Sequence, residues 1–345
     1  MPNSSTATFA LLRRSLIKGF AAVAIGTAAL GSLAHAEDKP TVLRIGTTAP
    51  GHLKFILERH SGSVEKEFAK DGIKVEFVAF TNGGGEALTA LATGAIEVTY
   101  TGNNPALRAA AKGADVKAIG LSSFIKNSST TIIVRKDSPI KTLEDLKGKK
   151  VAYLPGTVRH SVFSKALKLV NLTTDDVESL NLEFAASGPA LLRGDIDAIV
   201  ESDNSNEKLV ESGEARVILD SNKYPEWSAP FIISVNGDYA RKYPDIIKRL
   251  LKIDIETARW ADAHPEETIK IFVDETKTSE KSVRATYAGG KFYQDPKITP
   301  EALKALKEEA EFMKEAKLLK GEVDYDTWID TSYLDAAYKE VDANQ

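Results

Sequence analysis

From residue 41 to residue 235, short β-type runs alternate with helical segments of about ten residues, and beyond Tyr239 only helical periodicity remains. No other feature limits the fold as strongly. A strand that returns to its sheet through a helix must lie parallel to the first, so this order predicts α/β sheets. The expected strands of the first unit are residues 41–47 (TVLRIGT), 73–80 (IKVEFVAF), 94–100 (GAIEVTY) and 116–121. Helices are expected over residues 51–68, 86–93 and 105–112. A second unit follows, with strands at residues 130–135, 150–154, 177–182, 196–201 and 215–219. Its helices fall at residues 158–170, 189–193 and 207–212, and residues 231–235 form a last strand. Helical spacing then runs through residues 243–264, 266–275, 280–287 and 300–318.

That order leaves two crossings between the units, near residues 122–130 and 228–235. The simplest geometry places one unit, residues 128–230, as an insertion within another made of residues 37–127 plus 231–345. A chain of 345 residues is long enough for two such cores.

The first 36 residues read as an address. Arg13, Arg14 and Lys18 precede an apolar run over residues 20–33, which ends at Ala34-His35-Ala36 before Glu37 and Asp38. A basic region, a short apolar region and a small-x-small site in that order form an export signal, with cleavage expected near Ala36. Fourteen apolar residues make a helix of about 21 Å, short of the ~30 Å hydrocarbon core. The Arg-Arg-Ser-Leu-Ile-Lys stretch also resembles a twin-arginine motif, so either export route fits.

Charge and cysteine content exclude several functions. Net charge is −4, and removal of the address, which carries three bases and no acid, takes it to −7. Nucleic acid is therefore not an expected partner. The absence of cysteine excludes disulfides, thiolate metal sites, thiol nucleophiles and an S-linked lipid anchor. His52, His60, His160 and His264 lie outside the address, and no two stand at metal-binding spacing on a helix. Neither a nucleophile elbow nor a phosphate loop occurs. Gly83-Gly84-Gly85 begins like a dinucleotide fingerprint, but Leu88 occupies its third glycine position. No motif calls for a cofactor or a metal.

Polar residues collect instead where strands end. Ligands of open α/β sheets sit beyond the carboxyl ends of strands. Those ends carry Thr47 through His52, Thr81-Asn82 with the three glycines, Thr101 through Pro105, Pro155 through His160, and Glu201 through Asn206. Helix N-termini offer free N–H groups and partial positive charge, and glycine permits close approach. Thr101, Thr157 and Ser161 would add hydroxyl donors, and Arg159 or His160 would add charge. Together these suit a small oxyanion.

The residues that carry these loops also carry a resemblance. LRIG at 43–46, ALATGAIEVTYTGNNP at 90–105, KGADVKAIG at 112–120, SPIKTLEDLKGKKVAYLPGT at 138–157 and LLRGDIDAI at 191–199 resemble the periplasmic substrate-binding proteins of ABC importers, in the aliphatic sulfonate, taurine and nitrate group. The resemblance implies an α/β, two-lobed type II periplasmic-binding-protein fold with two hinge strands and a helical C-terminal segment. It implies a non-catalytic monomer that takes a small organic anion in the interlobe cleft for a membrane permease and its ATPase. Its matching ligand positions are Gly51, His52, Leu53, Thr81, Thr101, Gly102, Asn103, Thr157, Arg159, His160, Glu201 and Asp203, with Asp203 matching an acid that meets a substrate amine. Two departures stand out. Ser202-Asp203-Asn204 replaces a common Trp-Asp-Pro, and Ile199 replaces a common Trp, so an aromatic wall is expected to be lost. Other anions remain open: sulfate ester, aromatic carboxylate, phosphonate or nitrate. So does a cytosolic enzyme of the same fold, as in thiamine-pyrimidine synthesis, which the export signal opposes.

Overall fold

A computed structural model describes residues 39–124, 130–228, 230–287, 291–292 and 294–343. The address and its cleavage site at Ala36 lie outside the described residues, as does most of the crossing near residues 122–130. The folded body begins at Pro40.

In chain order the first elements are β1 (Val42–Thr47), α1 (Leu53–Ser61), α2 (Ser63–Ala69), β2 (Lys74–Ala79), α3 (Gly84–Ala92), β3 (Val98–Gly102), α4 (Asn103–Ala111) and β4 (Val116–Ser123). The chain then passes to β5 (Thr130–Arg135), β6 (Lys150–Ala152), α5 (Val158–Lys168), β7 (Glu178–Leu180), α6 (Phe184–Arg193), β8 (Ala198–Ser202), α7 (Asp203–Glu211) and β9 (Ala215–Asp220). It returns through β10 (Phe231–Asn236) to α8 (Gly237–Lys242), α9 (Pro244–Ala263), α10 (Pro265–Thr276), α11 (Glu280–Thr286), α12 (Pro300–Glu315), α13 (Tyr325–Trp328) and α14 (Ser332–Ala343).

Two five-stranded sheets result, ordered β2-β1-β3-β10-β4 and β7-β6-β8-β5-β9. Each is mixed rather than parallel, which corrects the strand–helix–strand expectation. β10 runs antiparallel to β3 and β4, and β5 antiparallel to β8 and β9. Both strands are reached from the other sheet rather than from a strand of their own, so the rule for crossovers within one sheet does not bind them.

Each lobe has its own core. On one face of the first sheet, Leu43, Ile45, Val98 and Ile233 pack with Phe55 and Phe68, against Ile247, Leu250 and Leu251 of α9 and Leu334 of α14. On the other, Ala106 and Leu107 of α4 meet Leu306, Ala310 and Met313 of α12. In the second sheet, Val151, Val162, Phe163, Ala198 and Val200 share a core on one face, and Ile133, Leu191 and Ile199 share one on the other. Full burial of each such aliphatic chain contributes roughly 1.5–3 kcal/mol before entropy is counted. None of the helices among the described residues is long and apolar enough to cross a membrane.

The expected helix over residues 51–68 is two helices, because Gly62 adopts a left-handed conformation (φ 63°) that ends α1 and starts α2. α6 begins five residues before Pro189, which therefore lies inside the helix rather than opening it. α13 and α14 were not expected.

Candidate functional site

The parallel strands deliver their carboxyl ends, and the helices that follow them, to one side of each sheet. α4 starts directly after β3, and α5 starts four residues past Leu154, with Thr157 as its N-cap. Neither helix has an acidic residue in its first turn, so the positive character of its start is uncompensated there. Pro105 is tolerated in α4 because first-turn N–H groups have no helical acceptor.

The starts of α3, α4 and α5 meet. Gly83, just before α3, would place a Cβ 3.7 Å from Thr157 Cγ2. Gly102, just before α4, would place one 2.9 Å from Val158 Cγ2, closer than real Cβ contacts come. Gly156 has φ 73°, where a side chain is strained, and the Arg108 guanidinium of α4 lies where its Cβ would project. The first and second lobes are thus in contact at these helix starts.

Around that meeting point polar groups are buried and unpaired. Thr101 and Asn103 are fully buried and Ser161 nearly so, yet the Thr101 hydroxyl, both polar atoms of the Asn103 amide and the Ser161 hydroxyl have no hydrogen-bond partner among the described residues. Buried polar groups in native proteins are nearly always satisfied, so this concentration marks a place built for an outside partner. Asn104, next to Asn103, is instead tied by its Nδ2 to Glu309 at 2.8 Å.

Two histidines flank the same region. His160 Nδ1 accepts a hydrogen bond from the Gly156 N–H at 2.9 Å, its ring lies 4.9 Å from that of Tyr153, and its Nε2 is buried without a partner. Burial, reinforced by Arg108, pushes its pKa down to about 4. His52 shares a hydrogen bond between Nε2 and the Ser123 hydroxyl at 3.0 Å, and its ring lies 5.9 Å from that of Phe231. Burial and then the charge of Lys54 bring it to about 3. Both rings are therefore neutral, which corrects the expectation that His160 would add charge.

The remaining expected residues divide. Arg159 forms an ion pair through Nε with Glu201, whose Oε1 also accepts the Ser202 N–H at 2.8 Å. Glu201 is buried, while Arg159 is about a third exposed (32%). Thr157 donates its hydroxyl proton to Leu154 O at 2.7 Å, so it is an acceptor rather than the free donor expected. Leu53 packs its side chain into a core with Ile56, Leu57, Ala261 and Ile269, which leaves only its backbone at the start of α1. Gly51 and Thr81 are exposed. The backbone of Asp203 opens α7, and its side chain lies outside the described residues. Ile199 is a core residue against Ile133 and Leu191. Arg108 and Ser123 were not singled out from the sequence. Ser123 ends a strand, the signal that flagged its neighbours, but nothing local distinguishes Arg108. Among the described residues no cluster of His, Asp and Glu is arranged to hold a metal ion.

Comparison with known proteins places this arrangement. The model of the family described as NMT1/THI5 like matches residues 62–268. A putative aliphatic sulfonates-binding protein of Escherichia coli (strain K12) is 30% identical over 237 residues, covering 68% of this chain and 72% of the relative. The taurine-binding periplasmic protein of the same strain is 28% identical over 264 residues, 73% of this chain and 81% of the relative. The solved structure of the alkanesulfonate-binding protein SsuA from Xanthomonas axonopodis pv. citri, bound to MOPS, superposes with a TM-score of 0.72 at 23% identity, over 85% of this chain and 99% of that one.

Proposed function

Since the chain belongs to the NMT1/THI5-like family, we propose that it is the solute-binding component of an ABC importer, capturing a small organic sulfonate between its two lobes. The reading is carried by one observation: the starts of α3, α4 and α5 converge from both lobes on unpaired, buried Thr101, Asn103, Ser161 and His160. Helix starts and neutral donors are what a small oxyanion requires. The sulfonate and taurine specificities named for the two relatives have the same chemistry.

In this reading the head group is held by Thr101, the N–H groups that open α4 and α5, Asn103, Ser161 and His160. The pair of Arg159 and Glu201 faces the rest of the ligand, and Asp203 is the acid that would meet an amine on it. Gly102 and Thr157 shape the backbone, and His52 with Gly51 and Thr81 borders the first lobe's side. Residues 37–127 with 231–345 move as one lobe and residues 128–230 as the other, hinging at the two crossings. Ligand favours the closed form because only there do both sets of helix starts reach it. An affinity of ~1 μM needs only about −8 kcal/mol. The mature chain begins near Glu37 in the periplasm, acts as a monomer, and passes its ligand to a permease and ATPase without altering it.

Calorimetric titration of the chain from Glu37 with ethanesulfonate, taurine, MOPS, nitrate, a sulfate ester and an aromatic carboxylate tests this. Micromolar binding confined to sulfonates, with ligand recovered unchanged by mass spectrometry, is expected. Binding of none of them, or chemical conversion of one, overturns the reading.

A further inference from the structure

The imidazole of His160 is fixed by the main chain. Its Nδ1 accepts the Gly156 N–H, so the ring proton of the neutral form must sit on Nε2, the buried and unpartnered nitrogen. Every charged group about the ring discourages a second proton or is itself balanced. Arg108 of α4 lies over Gly156, Arg159 is the ring's neighbour on α5, and Glu201 of β8 is spoken for by Arg159. Tyr153, at the end of β6, presents an uncharged ring. The other unpaired groups at the helix starts, Thr101, Asn103 and Ser161, are neutral. Arg108 is exposed, so solvent weakens its field, which still reaches the ring from outside the cradle and opposes a second proton there.

We propose that the head-group site is an uncharged cradle in which His160 acts as a fixed Nε2–H donor, and that it therefore selects monoanionic head groups against dianions of the same shape. This rests on the sulfonate-binding reading and adds the residue and the rule by which the site discriminates. A sulfonate carries one charge over three accepting oxygens at any physiological pH. A phosphonate of equal shape gains a second charge as its last proton leaves. That charge must be desolvated, and the cradle supplies no further cation to offset it. His160 cannot supply one either, because burial and Arg108 hold its pKa near 4.

Titration calorimetry with ethanesulfonate and ethylphosphonate at pH 5.5 and pH 8.5 decides the matter, since the second proton of the phosphonate leaves within that range. The expected sulfonate Kd is unchanged within about twofold, while phosphonate binding tightens about threefold or more on acidification, in step with the fraction of phosphonate monoanion. His160→Leu should lose at least tenfold in sulfonate affinity, and His160→Gln, which keeps a donor, should stay within about threefold of the parent. Tighter sulfonate binding at pH 5.5 would mean that the ring charges, and tighter phosphonate binding at pH 8.5 would mean a net cationic site. Either overturns the proposal while leaving the protein a sulfonate binder. Binding of neither anion overturns both readings. Should His160→Leu fail to fold, the titrations of the parent protein still discriminate.

Discussion

Lys165 of α5 donates to Glu309 of α12 at 2.5 Å, and Glu309, on the other lobe, accepts from Asn104 at 2.8 Å as well. Both partners are largely buried, the Lys165 side chain being 14% exposed and that of Glu309 4%. One turn on, Lys168 pairs with Glu315, but there both side chains are about two-thirds exposed (68% and 65%). Both lysines also lie over the Phe312 ring, at 5.0 and 5.9 Å from its centre. α12 of the first lobe thus holds the second through one buried and one exposed ion pair.

Removing the buried partner should matter far more than removing the exposed one. Lys165→Met leaves a buried carboxylate without its cation whenever the lobes are together, a situation that costs several kcal/mol where no water can enter. With the lobes apart, Glu309 can hydrate, so the penalty falls on closure. Ligand affinity should drop about tenfold or more by calorimetry. Lys168→Met should change it by less than about twofold, as for exposed pairs generally. Equal effects would show that α12 does not act through the buried contact.

How much of this could be read from residues alone depends on the range of the interaction. β1 to β4 and their helices were legible because each strand and helix carries its own periodicity. The direction of β5 and β10 was not, since hydrophobic pattern has no sense of direction. α14 was missed because only Leu334, Ala337 and Val341 bury on it, and its contact with α9 supplies the stability that its own sequence does not advertise. At the site, the loops were found from strand ends, but the roles within them were set by partners. Leu53 turned to a core shared with α9, α10 and α11, Thr157 spent its proton on Leu154, and a backbone N–H fixed the His160 tautomer. Lys165 and Glu309 are 144 residues apart, beyond any local signal.

Thr101→Val should move stability and binding in opposite directions. The hydroxyl is fully buried and has no partner among the described residues, so an isosteric methyl relieves a desolvated donor and should leave the unliganded melting temperature equal or higher. Ligand loses one hydrogen bond, about 1 kcal/mol, or roughly fivefold in Kd. A lower melting temperature without ligand, or unaltered affinity, would place the hydroxyl outside the site.

Gly102→Val tests the seam between α4 and α5. Any Cβ at this position meets Val158 Cγ2 at 2.9 Å, and the added methyls deepen the clash. The backbone there is extended (φ −59°, ψ 159°) and accepts a side chain, so the first lobe by itself has no reason to unfold. The variant should melt near the parent without ligand but bind at least tenfold more weakly. Small-angle scattering should report a larger radius of gyration in saturating ligand. Parental affinity would mean that Val158 moves aside and the seam is soft.

Next to Thr101 on β3, Tyr100 belongs to a buried polar cluster. Lys54 and Glu58 of α1, Tyr100 of β3 and Asp254 of α9 are all essentially inaccessible. Lys54 Nζ lies 3.2 Å from Asp254 Oδ1, and Tyr100 donates to Asp254 Oδ2 at 3.0 Å. Burial, and next the negative charge of Asp254, raise the pKa of Glu58 well above its ordinary 4.5, with Lys54 only partly opposing. The folded protein therefore keeps a proton on Glu58 that the unfolded chain releases near pH 4.5. Stability from this group is complete below that pH and is lost as pH rises toward the folded pKa, by about 1.4 kcal/mol for each unit over which only the folded state holds the proton. Glu58→Gln keeps the shape and the donor but cannot ionise. Urea unfolding at pH 5 and pH 8 should show the variant gaining on the parent as pH rises, by at least about 1 kcal/mol over that interval. A difference that stays constant with pH would mean that Glu58 is ionised in the folded protein and that Lys54 serves both carboxylates.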